Sequence, residues 1–351
     1  ATIACWAMGL TQQPNGVSVI QEVVNLLLMG GHVGRPGAGF CPVRGHSNVQ
    51  GDRTVGIWEA PPVSFIEKME LGLNLTLPKE HGYDVVNAIH AMRNGDVDVF
   101  FCMGGNFISA TPDTFATADG LRKVGLTVQV STKLNRSHLV TGDEAIILPC
   151  LGRTEIDVQR SGEQFVTVEN SMGIVHQSRG GLQPASQHLR SEPWIVSNLS
   201  SHLFDDSPLN WLELIDNYDS IRDLMEISLN GFHDYNTRVR QENGFLLPNP
   251  PRDSRSFDTP SGKAQFTTHD LPNVSIPSDR FVMMTIRSHD QYNTTIYDVH
   301  DRYRGISGNR RIVLMNALDM AERGWKNRQI VSISSHFNGE VRTSTDWIVV
   351  A

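Results

Sequence analysis

Residues 97–106 of the chain read Val-Asp-Val-Phe-Phe-Cys-Met-Gly-Gly-Asn, an apolar run that stops at two glycines. This pattern predicts a strand that ends in a tight loop. Residues 111–124 are typical of a helix that begins near a Thr-Pro pair, and residues 126–130 and 144–149 predict two further buried strands. Strands that alternate with helices favour a mostly parallel sheet, so the sequence predicts an α/β fold.

The same order of strand, glycine and helix occurs at the start of the chain. Residues 1–10 predict a buried strand that leads to Gly9, and residues 16–29 carry apolar side chains at helical spacing before Gly30. Residues 30–56 then contain eight glycines and almost no periodicity. A loop of this length inside a compact region is usually functional.

Beyond residue 161 the pattern changes. Residues 209–229 predict a helix, residues 244–262 have the composition of a connector, and short strands follow residue 281. We therefore expect a mostly parallel, doubly wound sheet with flanking helices, followed by part of a separate C-terminal β domain. The expected segments are the end of one α/β domain (1–50), a second α/β domain (51–205), a helical and loop connector (206–275) and a partial β domain (276–351).

The composition excludes several classes of function. The formal net charge of −8 argues against a nucleic-acid-binding surface. No apolar run approaches the roughly 18 residues that a membrane span needs, and no signal peptide is recognisable, so we expect a cytoplasmic protein. The four cysteines have no metal-ligand spacing, and we interpret them as reduced core thiols that provide neither a zinc site nor an iron–sulfur cluster.

Three predicted loops occupy the positions at which open α/β sheets bind ligands, outside the carboxyl ends of strands. They are residues 9–13, 104–106 and 131–136, and we expect them to converge at one edge of the sheet. Glycine lets the backbone approach a phosphate closely, and Lys133 and Arg136 could pair with it. Neither GxGxxG nor GxxxxGK[ST] is present, so an ordinary NAD or ATP site is not supported.

The long loop carries the resemblance to a known family. It reads Gly37-Ala-Gly-Phe-Cys-Pro-Val-Arg-Gly-His-Ser-Asn-Val-Gln-Gly51. This run resembles the G-x-x-P-V-R-G-x-x-N-V-Q-G loop of molybdopterin bis-guanine dinucleotide enzymes, formate dehydrogenases in particular. Other segments resemble family motifs in the same order, namely residues 8–12, 103–106, 145–149, 165–170, 259–266 and 315–324. The stretch Val130-Ser-Thr-Lys133 departs from the V-Q-D that family members often have, and is similar to a less characterised branch of alpha subunits.

The resemblance implies an oxidoreductase that holds bis-molybdopterin guanine dinucleotide with molybdenum or tungsten. The implied substrate is a small anion such as formate, and an electron-transfer partner is possible. Arg44 matches the arginine that helps to hold the substrate, although a loop arginine can instead pair with a surface carboxylate. His46 could tune protons beside it or be structural. The residues implied to bind the cofactor are Gly9, Thr11, Gln12, Gly45, Asn48, Gly104, Gly105, Asn106, Ser131, Thr132, Lys133, Asn135, Arg136, Arg287, His289, Gln291 and Asn293.

The same resemblance implies that the chain is a fragment. The family's N-terminal portion carries the metal ligand and often an iron–sulfur cluster, and this chain contains neither. Both ends of the chain are apolar, strand-like runs, which we interpret as cuts through ordered structure. The resemblance also implies that the β domain at residues 276–351 is part of a C-terminal β-barrel that binds the cofactor. We expect the last strands of this barrel to be missing as well, and the chain alone to be inactive.

Two other functions stay open. The chain could be a non-catalytic module that stores or delivers the pterin dinucleotide. It could also be an unrelated nucleotide-dependent α/β enzyme, although the absence of a fingerprint loop argues against this. For the favoured function, we predict that Arg44 lies in a loop facing an open cleft, outside any saturated salt bridge.

Overall fold

The computed structural model describes residues 1–46, 48–273, 275–286 and 300–351. The chain divides into two compact units, Ala1–Ser275 and Ile276–Ala351. The predicted boundaries inside the first unit, at residues 50 and 205, stay predictions.

The first unit contains short strands and helices in alternation. Its strands are β1 (Ile3–Trp6), β2 (Gly39–Pro42), β3 (Val99–Met103), β4 (Leu126–Ser131), β5 (Glu144–Pro149), β6 (Val158–Gln159), β7 (Gly162–Glu163), β8 (Val166–Glu169), β9 (Ile174–Ser178) and β10 (Phe245–Leu246). Its helices are α1 (Met8–Thr11), α2 (Gly16–Met29), α3 (Val49–Thr54), α4 (Val63–Leu73), α5 (Val85–Asn94), α6 (Phe107–Ala110), α7 (Thr114–Leu121), α8 (Glu192–Leu203), α9 (Trp211–Asp216), α10 (Tyr218–Ser228), α11 (Tyr235–Arg238) and α12 (Pro250–Ser254), with a 3-10 helix at Arg136–Leu139.

Parallel pairing dominates the first half of this unit. Strand β4 lies between β3 and β5, and both neighbours run parallel to it. Strands β1 and β2 are also parallel but form a separate two-stranded sheet. The prediction of an α/β fold with parallel strands is confirmed. The chain does not build one continuous sheet from these strands, because the apolar pattern of a strand does not encode which strand it pairs with.

Helices lie on both faces of the β3–β4–β5 sheet. On one face, Phe100 packs against a cluster that joins α5 to α7 through Met92 and Leu121. On the other face, Val130 and Leu148 pack against Ile195 of α8. These contacts explain why the central strand β4 is buried along most of its length.

Helix α8 covers only part of the sheet face on which it packs. Val99, Phe101 and Ile146 are 54%, 38% and 45% exposed, and we refer to them as the apolar sheet face. The prediction of buried strands is therefore right for β4 and wrong for β3 and β5, and β1 is also partly exposed. An apolar run indicates that a strand is suited to burial, but it does not supply the neighbour that buries it.

The second half of the first unit is built around an antiparallel sheet. Strand β9 pairs antiparallel with β8 and β10, and its Val175 packs in a core with Phe232, Tyr235 and Phe245. The helix predicted over residues 209–229 is instead two helices, α9 and α10, divided at Asn217. The Asn217 side chain accepts a hydrogen bond from the N–H of Asp219, which begins the second helix.

The second unit contains β11 (His300–Asp301), β12 (Ile306–Ser307), β13 (Ile312–Leu314), α13 (Ala317–Glu322), β14 (Ile330–Phe337) and β15 (Glu340–Val350). Strand β15 pairs parallel with β13 and antiparallel with β14. The buried Asp301 carboxylate accepts a hydrogen bond from Arg304 Nη1 at 2.7 Å. Within the described part of this unit the sheets do not close, so the barrel stays a prediction.

In the part of the chain that the structure describes, no helix combines the length and apolar content that crossing a membrane requires.

Candidate functional site

Two of the predicted loops meet at the carboxyl end of the β3–β4–β5 sheet. The Gly104 N–H donates to the Val130 carbonyl at 2.8 Å, and Asn135 Nδ2 donates to the Gly105 carbonyl at 2.8 Å. Ser137 Oγ lies 3.0 Å from Asn106 Oδ1, to which it donates. Since β3 and β4 are parallel neighbours, their carboxyl ends bring the two loops together.

The glycine pair forms an open backbone surface. Gly104 and Gly105 have φ angles of +71° and +79°, which favour glycine, and a Cβ built on either would meet no atom within 4 Å. Among the described residues, the backbone N–H groups of Gly105 and Asn106 have no hydrogen-bond acceptor. Successive backbone donors beside open space are the kind of arrangement that binds a phosphate, so this loop fits the diphosphate of a dinucleotide.

The second loop is held in place by a local cap. Asn135 Oδ1 accepts from the Ser137 N–H at 2.9 Å, and His138 Nδ1 accepts from the Asn135 N–H at 3.0 Å. These two bonds form a capping box at the start of the 3-10 helix. Asn135 therefore uses its amide to fix the two loops, whereas Thr132 and Lys133 lie exposed.

Arg44 lies in the loop that follows β2. Its Nε and Nη2 atoms donate to Oε1 of Gln50 at 3.3 and 2.9 Å. The guanidinium is exposed and forms no ion pair with any described residue, and its place beside an open cleft stays a prediction. His46 is exposed in the same loop.

A buried carboxylate that the sequence analysis did not select lies behind this loop. Glu169 is only 6% exposed, and its Oε2 accepts a hydrogen bond from Thr54 Oγ1 at 2.5 Å. Gln50 is near enough to favour the ionised form of this carboxylate, and the same side chain accepts from Arg44. Burial raises the pKa of Glu169, and the hydrogen bonds and the Arg44 charge oppose this effect only in part. The sequence does contain a signal for Glu169, because this glutamate lies within residues 165–170, a run that resembles a family motif.

Asn48 joins the Arg44 loop to β8. Its backbone is left-handed, with φ of +67°, and Oδ1 accepts from the Glu169 N–H at 3.0 Å. Its Nδ2 donates to Asp52 at 3.0 Å. Like Asn135, Asn48 has both ends of its amide occupied within the protein.

The first predicted loop differs from expectation. Residues Met8–Thr11 form one turn of helix, α1, after strand β1. Because β1 pairs with β2 in its own sheet, the expectation that all three loops lie at one edge of one sheet is wrong. Helix α1 instead neighbours the Arg44 loop, since a Cβ on Gly45 would lie 3.8 Å from the Met8 sulfur.

The predicted site residues thus fall into two groups in the described structure. One group lies in the two loops at the carboxyl end of the β3–β4–β5 sheet, at residues 104–106 and 131–136. The other group lies at residues 9–12 and at Arg44, Gly45, His46 and Asn48. The predicted residues Arg287, His289, Gln291 and Asn293 lie outside the described residues. The described residues contain no group of three His, Cys, Asp or Glu side chains that could hold a metal ion.

The cysteines differ in exposure. Cys150 is buried, and burial raises the pKa of its thiol to about 11. Cys41 and Cys102 are partly buried, and Cys5 is exposed. The interpretation of all four as core thiols is therefore wrong for Cys5, because β1 lies in a small sheet that leaves this side chain in contact with solvent.

Comparison with known proteins identifies two family models in the chain. Residues 1–201 match the molybdopterin oxidoreductase model, and residues 281–345 match the molydopterin dinucleotide binding domain. An uncharacterized oxidoreductase of Mycobacterium tuberculosis is 51% identical over 100% of this chain and 46% of its own length. Protein YdeP of Escherichia coli is 48% identical over 90% of this chain and 42% of its own length.

A Staphylococcus aureus protein whose name assigns it provisionally to the formate dehydrogenases is 32% identical over 30% of this chain and 11% of its own length. The chain spans less than half the length of the Mycobacterium tuberculosis and Escherichia coli relatives.

Proposed function

Because the chain belongs to the molybdopterin oxidoreductase family, we propose that it is the part of a formate-dehydrogenase-like enzyme that binds a molybdopterin guanine dinucleotide. The observation that carries this proposal is the left-handed Gly104–Gly105 backbone, which has open space at both Cβ positions and whose Gly105 N–H has no acceptor among the described residues. The enzyme containing this chain would transfer two electrons to or from a small anion, working in the cytoplasm with a redox partner.

Different described residues would bind different parts of such a cofactor. The N–H groups of Gly105 and Asn106 would bind a diphosphate, and the nearby cations Lys133 and Arg136 would balance its charge. Ser131 and Thr132 would contact the ribose or the base. Near α1, Gly9, Thr11, Gln12 and Gly45 would surround a second pterin. When bound, the pterin with its molybdenum or tungsten supplies the redox chemistry, and the protein supplies position and electrostatics.

Arg44 is the proposed substrate-binding residue of this site. Gln50 contacts one edge of the Arg44 guanidinium, where Nε and Nη2 both donate to Gln50 Oε1. The remaining N–H donors stay available to a carboxylate. Because Gln50 is neutral, the positive charge of Arg44 is not cancelled by its partner, which favours a small anion such as formate.

The binding of GDP to this chain tests the proposal, with GDP representing the guanine dinucleotide end of the cofactor. We expect measurable GDP binding by calorimetry, and weaker binding of ADP. Gly105→Ala should weaken GDP binding about tenfold or more, roughly 1.4 kcal/mol, because a side chain strains the left-handed loop and enters the open space.

Gly95→Ala is the matched control. Gly95 ends α5 with φ of +83°, and a Cβ there would also meet no atom within 4 Å, so this substitution introduces similar strain away from the site. Absence of GDP binding, or equal loss of affinity in both variants, would contradict the proposal.

A further inference from the structure

Two thiols lie side by side on neighbouring strands outside the proposed ligand contacts. Cys5 of β1 and Cys41 of β2 are direct partners in the register of this parallel pair. Side chains on register partners project from the same face of a sheet. The Cys5 thiol is close enough to Cys41 to contribute to the raised pKa of the Cys41 thiol, beside the effect of burial.

The backbone separation suits a cross-link. Neighbouring strands lie about 4.7–4.9 Å apart. Disulfides join Cα atoms that are roughly 4.4–6.8 Å apart. The two cysteines can therefore be bridged without separating β1 from β2.

The two thiols differ in access to solvent. Cys5 is exposed, whereas Cys41 is partly buried. An exposed thiol meets an oxidant first, and a partly buried neighbour is protected from solution reagents but can attack an adjacent sulfur. The other two cysteines, Cys102 and Cys150, have no cysteine as register partner.

We propose that Cys5 and Cys41 are a redox-modification site that forms a reversible disulfide on reaction with a small-molecule disulfide such as oxidised glutathione. Cys5 attacks the oxidant, forms a mixed disulfide and releases one glutathione thiol. Cys41 then attacks the Cys5 sulfur, forms the intramolecular bond and releases the second thiol. The two cysteine sulfurs are oxidised, one glutathione disulfide is reduced to two thiols, and two protons pass to those thiols. This proposal does not depend on the proposed cofactor.

Peptide mapping of the oxidised chain tests it. The native chain is treated with oxidised glutathione, alkylated and cleaved after glutamate, which separates Cys5 from Cys41 because Glu22 lies between them. We expect a disulfide-linked pair of peptides, 1–22 with 23–59, and the loss of two of the four titratable thiols. Oxidation in denaturant, where the strands are not paired, should abolish the preference for this link.

Substitutions give the controls. A chain with Cys102→Ser and Cys150→Ser should form the link as fully as the unmodified chain. Cys41→Ser should instead accumulate a mixed glutathione disulfide at Cys5. A native chain that yields only the mixed disulfide at Cys5, or that yields the same mixture of links as the denatured chain, would overturn the proposal.

Discussion

Arg44 is oriented by a neutral amide rather than by a carboxylate. Its contact with Gln50 fixes the direction of the guanidinium without neutralising it. Behind the same loop, Asn48 accepts from the N–H of the buried Glu169, so the conformation of the Arg44 loop depends on a residue that is almost fully buried. This arrangement separates the residue proposed to hold the substrate from the residues that position it.

In the longer protein that contains this sequence, Arg44→Lys should impair turnover more than cofactor retention. Lysine keeps the charge but loses the planar grip on a carboxylate. The loss of such a bond in the transition state costs about 2–4 kcal/mol, or roughly 30- to 1000-fold in rate. Steady-state kinetics with pterin and metal content measure both effects.

Arg53→Lys is the matched control, since Arg53 is exposed and pairs with Glu59 beyond the loop. Unchanged turnover in Arg44→Lys, or pterin loss without a specific kinetic defect, would make Arg44 a structural residue.

The raised pKa of Glu169 makes the stability of the Arg44 loop dependent on pH. As pH rises above the ordinary range of a glutamate, the unfolded chain loses this proton before the folded chain does. The free energy of unfolding therefore falls, by about 1.4 kcal/mol for each unit between the two pKa values, until Glu169 ionises in the folded state.

Glu169→Gln removes this titration. The variant should gain stability relative to the original chain as the pH is raised from acidic to neutral, in urea unfolding at each pH. Glu163→Gln, at an exposed position of β7, controls for the loss of a charge. A difference between Glu169→Gln and the original chain that does not change with pH would refute this account.

At the scale of elements, the two loops at the end of the β3–β4–β5 sheet depend on one short cap. Asn135→Ala removes the bond to Gly105 together with the cap of the 3-10 helix. We expect a loss of about 1 kcal/mol in stability, typical of an N-cap asparagine, and a weaker affinity for GDP because the glycine pair is no longer held.

Asn217→Ala should cost a similar amount of stability without changing GDP affinity. Its side chain caps α10 by the same type of bond to a backbone N–H. Urea denaturation measures the stability of both variants, and calorimetry measures their affinity for GDP. Equal GDP affinities in the two variants would show that the Asn135 bond to Gly105 has no part in binding.

The sequence predicted the presence of strands, turns and helices better than it predicted where a helix ends or which partner a side chain has. Strand β4 and the turn at Gly104-Gly105 follow from local patterns, an apolar run and two glycines. The division of the long helix at Asn217 depends on one side-chain cap, which periodicity does not detect. Asn48 and Asn135 were expected to contact a ligand, but each has both ends of its amide occupied within the protein. A sequence identifies a polar side chain without showing which partner it will have.

At the scale of the whole molecule, the fold class was predictable but the grouping of the strands was not. The alternation of strands and helices in the sequence predicted the parallel strand pairing that the structure has in the first 150 residues. The separation of β1 and β2 from the larger sheet depends on long-range packing, which local patterns do not contain. The exposure of Cys5 has the same origin, since it follows from the small size of the β1–β2 sheet.

The apolar sheet face has a consequence for the colloidal behaviour of this chain. Val99 and Phe101 of β3 and Ile146 of β5 expose apolar surface on the two strands that flank β4, and exposed apolar surface is attractive between molecules in water. We expect static light scattering to give a negative osmotic second virial coefficient. Phe101→Thr should make it less negative, whereas Phe115→Thr, which removes an isolated phenylalanine that is 88% exposed, should change it less. Equal effects of the two substitutions would mean that the attraction depends on total apolar area and has no fixed location on the surface.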